Sequence, residues 1–131
     1  MLGFIGGTGP EGKGLALRFA ISGIDVFIGS RQEHRGIEAA EDLVSRFDEI
    51  SAERVKGGTN ERAASNCEIA VICTPYTGHR ETIEALKQNL RGKTVVDVVA
   101  PLSFQKGSIS AIEVEEGSAA EEAQLILPDS N

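Results

Sequence analysis

Six residues, Gly7-Thr8-Gly9-Pro10-Glu11-Gly12, have the spacing of a turn that presents bare backbone to an anion. Apolar Leu2–Ile5 precedes them, and Leu15, Ala16, Phe19 and Ala20 follow at helical intervals, so the turn leads from strand to helix. Each glycine then has a task. Gly7 permits the tight turn, Gly9 leaves space where a diphosphate approaches the main chain, and Gly12 lets the helix close on the sheet. The helix contributes free N–H groups and the positive end of its dipole. Thr8, Pro10 and Glu11 lie between the glycines and are counted with them as cofactor-binding candidates. The chemistry predicted is the binding of a dinucleotide.

The next strand, Asp25–Gly29, ends in Ser30-Arg31, with His34 and Arg35 just beyond. A carboxylate at this position takes the ribose 2′-OH of NAD. A hydroxyl and guanidinium groups instead suit a 2′-phosphate, because Arg offers a planar fork to phosphate oxygens. Ser30, Arg31 and Arg35 therefore point to NADP, with Glu33 facing away. The alternative reading makes Arg31 and Arg35 surface charges paired with Glu33 and Glu38.

Two further strand ends converge on the same crevice, since ligands of such sheets lie beyond the carboxyl ends of the strands. Thr74-Pro75-Tyr76 follows one, and Tyr76 either flanks a ribose or the nicotinamide or is an ordinary half-buried loop aromatic. Ala100-Pro101 follows the other as a candidate wall for the nicotinamide. His79 opens a helix nearby, but with no identified partner it reads as exposed and carries no catalytic role. Asp97, inside a strand, reads as buried and hydrogen-bonded for structural reasons. No nucleophile with its base and no metal-ligand cluster is visible, so neither a catalytic residue nor a metal is expected.

The elements that must position these residues alternate as β and α along the chain, the rhythm of a parallel sheet. After the first helix, Gly23 is placed to end it in the left-handed conformation. Ile37, Ala40, Leu43, Val44 and Phe47 mark the inner face of a second helix. Val55–Gly57 is a short strand, and a weak helix follows near Glu61–Ser65. Ile69–Cys73 is apolar throughout and so is covered on both faces. A helix over His79–Leu90 buries Ile83, Leu86 and Leu90, and Thr94–Val99 is a fifth strand. Residues 101–117 read as loop, with a short strand near Ile112. Ser118 and Glu121 form a capping box for a last helix reaching Leu127. Pro128–Asn131 closes that helix where another strand is expected, the pattern of a fragment or a minimal domain. The expectation is a single α/β domain over residues 1–131, a doubly wound parallel sheet of the Rossmann type.

Composition agrees. A chain of 131 residues with 40% apolar and 25% charged residues builds a core rather than a disordered coil. A net charge of −7 without a basic stripe excludes nucleic acid as a partner. Glu115-Glu116 and Glu121-Glu122 read as solvated faces. No basic n-region precedes an apolar stretch, and no apolar run reaches membrane-spanning length. Cys67 and Cys73 have neither redox nor zinc spacing. The reading is of a cytoplasmic protein without a membrane partner.

The run Gly6-Gly7-Thr8-Gly9-Pro10-Glu11-Gly12-Lys13-Gly14-Leu15-Ala16-Leu17-Arg18, followed by Ile28-Gly29-Ser30-Arg31, resembles the start of the coenzyme F420-dependent NADP reductases. The likeness extends more weakly through Thr74-Pro75-Tyr76 and the Ser118–Glu121 helix start. It implies hydride transfer between reduced deazaflavin F420 and NADP, with the two cofactors aligned face to face. It further implies that Thr8 touches the pyrophosphate and that Ser30, Arg31 and Arg35 hold the 2′-phosphate. Members of the family continue past this point, with a helical part that helps hold F420 and makes a homodimer. Two alternatives stay open on the residues alone: a non-catalytic NADP(H)-binding module, and the nucleotide domain of a reductase with a different hydride acceptor.

Overall fold

The computed structural model describes residues 1–131. Five parallel strands form one sheet: β1 (Leu2–Ile5), β2 (Val26–Ser30), β3 (Val55–Thr59), β4 (Ile69–Ile72) and β5 (Thr94–Asp97), in the order β3-β2-β1-β4-β5. The order turns back after β3, so the chain crosses to the far side of β1 to lay down β4. The ends of β1, β2 and β4 consequently open on a common crevice, the switch point of a doubly wound sheet. Residues 2–5 and 26–30 are buried throughout, as strands covered on both faces must be.

The two faces have separate cores. Helices α1 (Pro10–Ile21) and α2 (Glu33–Arg46) cover one, where Phe4, Ile28 and Val71 meet Ala16, Ala20, Ala40 and Leu43. Helices α3 (Asn60–Asn66), α4 (His79–Leu90) and α5 (Ala119–Ile126) cover the other, where Ile5, Phe27 and Ile72 meet Ala63, Ile83, Leu86 and Ala123. Pro10 starts α1 at a position where its missing N–H costs nothing. Gly23, at φ +82°, ends it as expected. Ser118 caps α5 by accepting from the Glu121 N–H at 3.1 Å.

Several expectations need correction. Residues 101–117 hold two strands where one was expected: β7 (Ser108–Ala111) is the short strand near Ile112, and it pairs with β6 (Leu102–Gln105) in an antiparallel hairpin turning at Gly107, φ +87°. The hairpin's Leu102, Phe104 and Ile109 are exposed, so no alternation of buried and solvated faces announces it. Ile112 lies beyond β7, where its N–H donates to Pro101 O and closes the hairpin base. In α2 the buried face contains Gly36 and Ala39, and Ile37 is exposed. The helix is rotated because Gly36 presses directly on the backbone of β3. β3 is two residues longer than expected, and β5 two shorter. After α5, Asn131 donates to Lys93 O and accepts from the Val95 N–H, which is strand-like pairing along β5. No helix is long and apolar enough to cross a membrane.

Candidate functional site

The glycine turn is held from three sides. The left-handed residue is Gly6, φ +69°, one position before the hexad, and not Gly7. Gly7 is required for space instead: a Cβ there would lie 2.7 Å from Phe4 Cβ. Its N–H donates to Gly29 O at 3.0 Å, tying the turn to β2. The Gly6 N–H donates to Asn60 Oδ1 at 2.9 Å, tying it to α3. On the third side, a Cβ on Gly12 would stand 2.6 Å from Gly7 Cα, so α1 begins in direct contact with the turn.

Gly9 differs from both neighbours. A Cβ there would meet nothing within 4 Å, so its face of the turn is open. Around that opening the N–H groups of Thr8, Gly9, Glu11 and Gly12 find no acceptor in the chain. Unpaired donors at a helix start, bordering an open surface, are the equipment for holding an anion.

Ser30 closes β2 with its side chain buried, and its Oγ accepts from the Gln32 N–H at 3.3 Å. Arg31 and Arg35 are exposed, and neither forms an ion pair. Glu33 is engaged elsewhere, 2.7 Å from Arg62 Nη1. The pairing of Arg31 or Arg35 with Glu33 or Glu38 is therefore not what the molecule does, and two guanidinium groups stand free beside the crevice.

At the end of β4, Thr74 packs against the turn: a Cβ on Gly6 would sit 2.7 Å from Thr74 Cγ2. Its Oγ1 is buried without a hydrogen-bond partner, a rare condition for a hydroxyl. Pro75 is exposed, and Tyr76 begins a short 3-10 turn, Tyr76–Gly78. The Tyr76 hydroxyl donates to Glu122 Oε2 at 3.3 Å. Ala100 is exposed and Pro101 half-buried, beyond β5, where the chain turns into the hairpin. Thr8, Pro10 and Glu11 line the outer edge of the turn, half-buried or exposed.

The expectation for His79 is overturned. The residue is fully buried, with Asp97 Oδ2 at 2.6 Å from Nε2 and Glu122 Oε1 at 2.9 Å from Nδ1. Glu122 is correspondingly not on a solvated face: it is buried on the inner side of α5. Arg80 approaches the same carboxylate at 3.2 Å and Glu116 at 2.5 Å. The partners of His79 lie 18 and 43 residues away, too far for any local pattern to connect them. Asn60 is the other residue the sequence reading missed. A polar side chain directly after β3 was its signal, for that strand also ends on the crevice.

Residues 1–101 match a family described as NADP oxidoreductase, coenzyme F420-dependent. The F420-dependent NADP reductase of Methanothermobacter marburgensis is 36% identical over 129 residues, 95% of this chain and 56% of that protein. Its counterpart in Methanocaldococcus jannaschii is 33% identical over 132 residues, 98% of this chain and 59% of the relative. A crystal structure from Arthrobacter sp. FB24, assigned as an F420-dependent NADP-reductase, superposes with a TM-score of 0.75 at 27% identity, covering 98% of this chain and 58% of that one. The chain thus spans somewhat over half the length of these relatives. With the family match running from β1 to the end of β5, the chain belongs to the coenzyme F420-dependent NADP oxidoreductases.

Proposed function

We propose that residues 1–131 form an NADP(H)-binding domain and serve hydride exchange between NADP and reduced coenzyme F420. The carrying observation is the open face at Gly9, with unpaired N–H groups around it and two free guanidinium groups at the neighbouring strand end. Gly7, Thr8, Gly9, Pro10, Glu11 and Gly12 hold the pyrophosphate against bare backbone. Ser30, Arg31 and Arg35 take the 2′-phosphate, where charge-assisted bonds replace the hydration both partners lose. Thr74, Pro75, Tyr76, Ala100 and Pro101 wall the nicotinamide side, and the unpartnered Thr74 hydroxyl offers that end of the ligand a hydrogen bond.

The chemistry belongs to the two cofactors, one ring carbon giving a hydride to another, so the chain's work is binding, alignment and exclusion of water. That division suits a site without a nucleophile and base. The names of the relatives support F420 as the second reactant. We extend the reading to a cytoplasmic homodimer, whose association light scattering on the purified chain would measure.

A paired titration with NADPH and NADH tests the cofactor choice. Arg31→Ala should weaken NADPH by about 1.5–3 kcal/mol, the worth of a hydrogen bond to a charged group, and leave NADH nearly unchanged. Equal loss for both nucleotides would show that Arg31 does not read the 2′-phosphate. Following deazaflavin absorbance on mixing the chain with NADPH and F420 then separates hydride exchange from nucleotide binding alone.

A further inference from the structure

His79 has no exposed surface, and both its ring nitrogens end on carboxylates, Asp97 Oδ2 at 2.6 Å and Glu122 Oε1 at 2.9 Å. An ionised carboxylate only accepts, so both nitrogens must donate, and a neutral imidazole has one N–H to give. The remaining oxygens of the two carboxylates also receive donors. Asp97 Oδ1 accepts from the Val99 N–H at 3.0 Å, while Glu122 Oε2 faces the Tyr76 hydroxyl at 3.3 Å and Arg80 at 3.2 Å. These donors favour ionised carboxylates and hence a doubly protonated ring. Burial alone would discharge the ring, but the hydrogen bonds to Asp97 and Glu122 outweigh it and hold His79 above its ordinary value.

The chain of contacts joins two segments otherwise far apart in sequence. Through Asp97 it fixes the backbone of Val98–Pro101 at Val99, and through Glu122 it fixes Tyr76. The Tyr76 ring also lies over that of His79, with centroids 5.9 Å apart and planes 29° from parallel. We propose that His79, as an imidazolium clamped between Asp97 and Glu122, is a positioning residue that sets the two segments walling the nicotinamide side of the crevice. The proposal rests on the NADP reading above. The charged and titratable groups around the ring are Asp97 from β5, Glu122 from α5, Arg80 from α4, Glu116 from the segment before α5 and Tyr76 from the 3-10 turn. Carboxylates outnumber the guanidinium group, so the surroundings support a cationic ring.

The test compares NADPH with 2′,5′-ADP, which carries the phosphates of the adenosine half but no nicotinamide. His79→Gln in the full chain should lower NADPH affinity about tenfold and leave 2′,5′-ADP unchanged. Wild-type protein should show both ring nitrogens of His79 protonated at pH 7 by 15N NMR. Its preference for NADPH over 2′,5′-ADP should shrink as that ring titrates, which keeps the proposal testable should His79→Gln not fold. A neutral ring at pH 7, or equal losses for the two ligands, would overturn it while leaving the NADP reading intact. Wild-type protein that bound neither nucleotide would overturn both.

Discussion

The buried Oδ1 of Asn60 accepts the Gly6 N–H at 2.9 Å, so the first residue of α3 holds the glycine turn at the end of β1. The bond joins two strand ends that β2 separates in the sheet. Asn60→Ala should strand the Gly6 N–H in a partly buried position and cost about 1–3 kcal/mol in urea unfolding. On the proposed reading, in which the same turn holds the pyrophosphate, NADPH affinity should fall with it. Unchanged stability would mean that water replaces the amide at no cost.

The glycines of the turn should separate under alanine substitution. Gly12→Ala puts a Cβ 2.6 Å from Gly7 Cα and 2.7 Å from Gly7 O, contacts that α1 must move to relieve. Thermal unfolding should report a loss of about 1–3 kcal/mol, the usual cost of overpacking. Gly9→Ala meets no neighbour within 4 Å, and its backbone is extended, φ −76°, ψ 171°. Its stability should stay within about 0.5 kcal/mol of the parent. Its NADPH affinity should nonetheless drop about tenfold, because the methyl occupies the open face. Normal binding by Gly9→Ala would remove the pyrophosphate from this turn.

Stability should depend on pH through His79. Its folded value lies above the ordinary 6.5, so the imidazolium stabilises the fold fully below that pH. The contribution is lost as pH rises through the folded value, when each carboxylate competes for the one remaining N–H. Urea midpoints taken from pH 6 upward should therefore fall, and His79→Gln should flatten the profile. A wild-type midpoint that rose over the same range would contradict the sign.

Both thiols should be inert in the folded protein. Burial, assisted by the charges of Glu11 and Asp97, pushes Cys73 up to about 12, and burial likewise raises Cys67. The thiolate is the reactive form, so iodoacetamide at pH 8 should leave both intact until urea exposes them. Mass spectrometry of the intact chain would count the adducts.

What the sequence disclosed follows from the range over which its signals act. The turn at Gly7–Gly12, the stop at Gly23 and the cap at Ser118 are local, each set by a few neighbours, and all stand where spacing put them. β1, β2, β4 and β5 were legible because their apolar runs lie between glycines, prolines and helical repeats, whereas β3, Val55-Lys56-Gly57-Gly58-Thr59, has no such run and its extent was underestimated. The His79–Asp97–Glu122 contact was not, since only the folded sheet brings α4, β5 and α5 together. The face of α2 was misjudged at Ile37 because glycine carries no hydrophobic signal, yet Gly36 is the point of contact. The first strand of the hairpin escaped for the opposite reason: its apolar side chains are left in the open.

If Arg31 and Arg35 hold the 2′-phosphate as proposed, that contact between α2 and β3 bears on selectivity. A Cβ on Gly36 would run into Gly58 O, and one on Gly57 into Gly36 O, so main chain rests on main chain with no side chain between to yield. Repacking cannot absorb a shift of α2 there, and the helix that carries Arg35, with Arg31 just before it, is seated like a key in a cut slot. Discrimination between phosphorylated and plain ribose would then come from a preset template, and relaxing it by evolution or design would require reshaping the backbone rather than exchanging one charge.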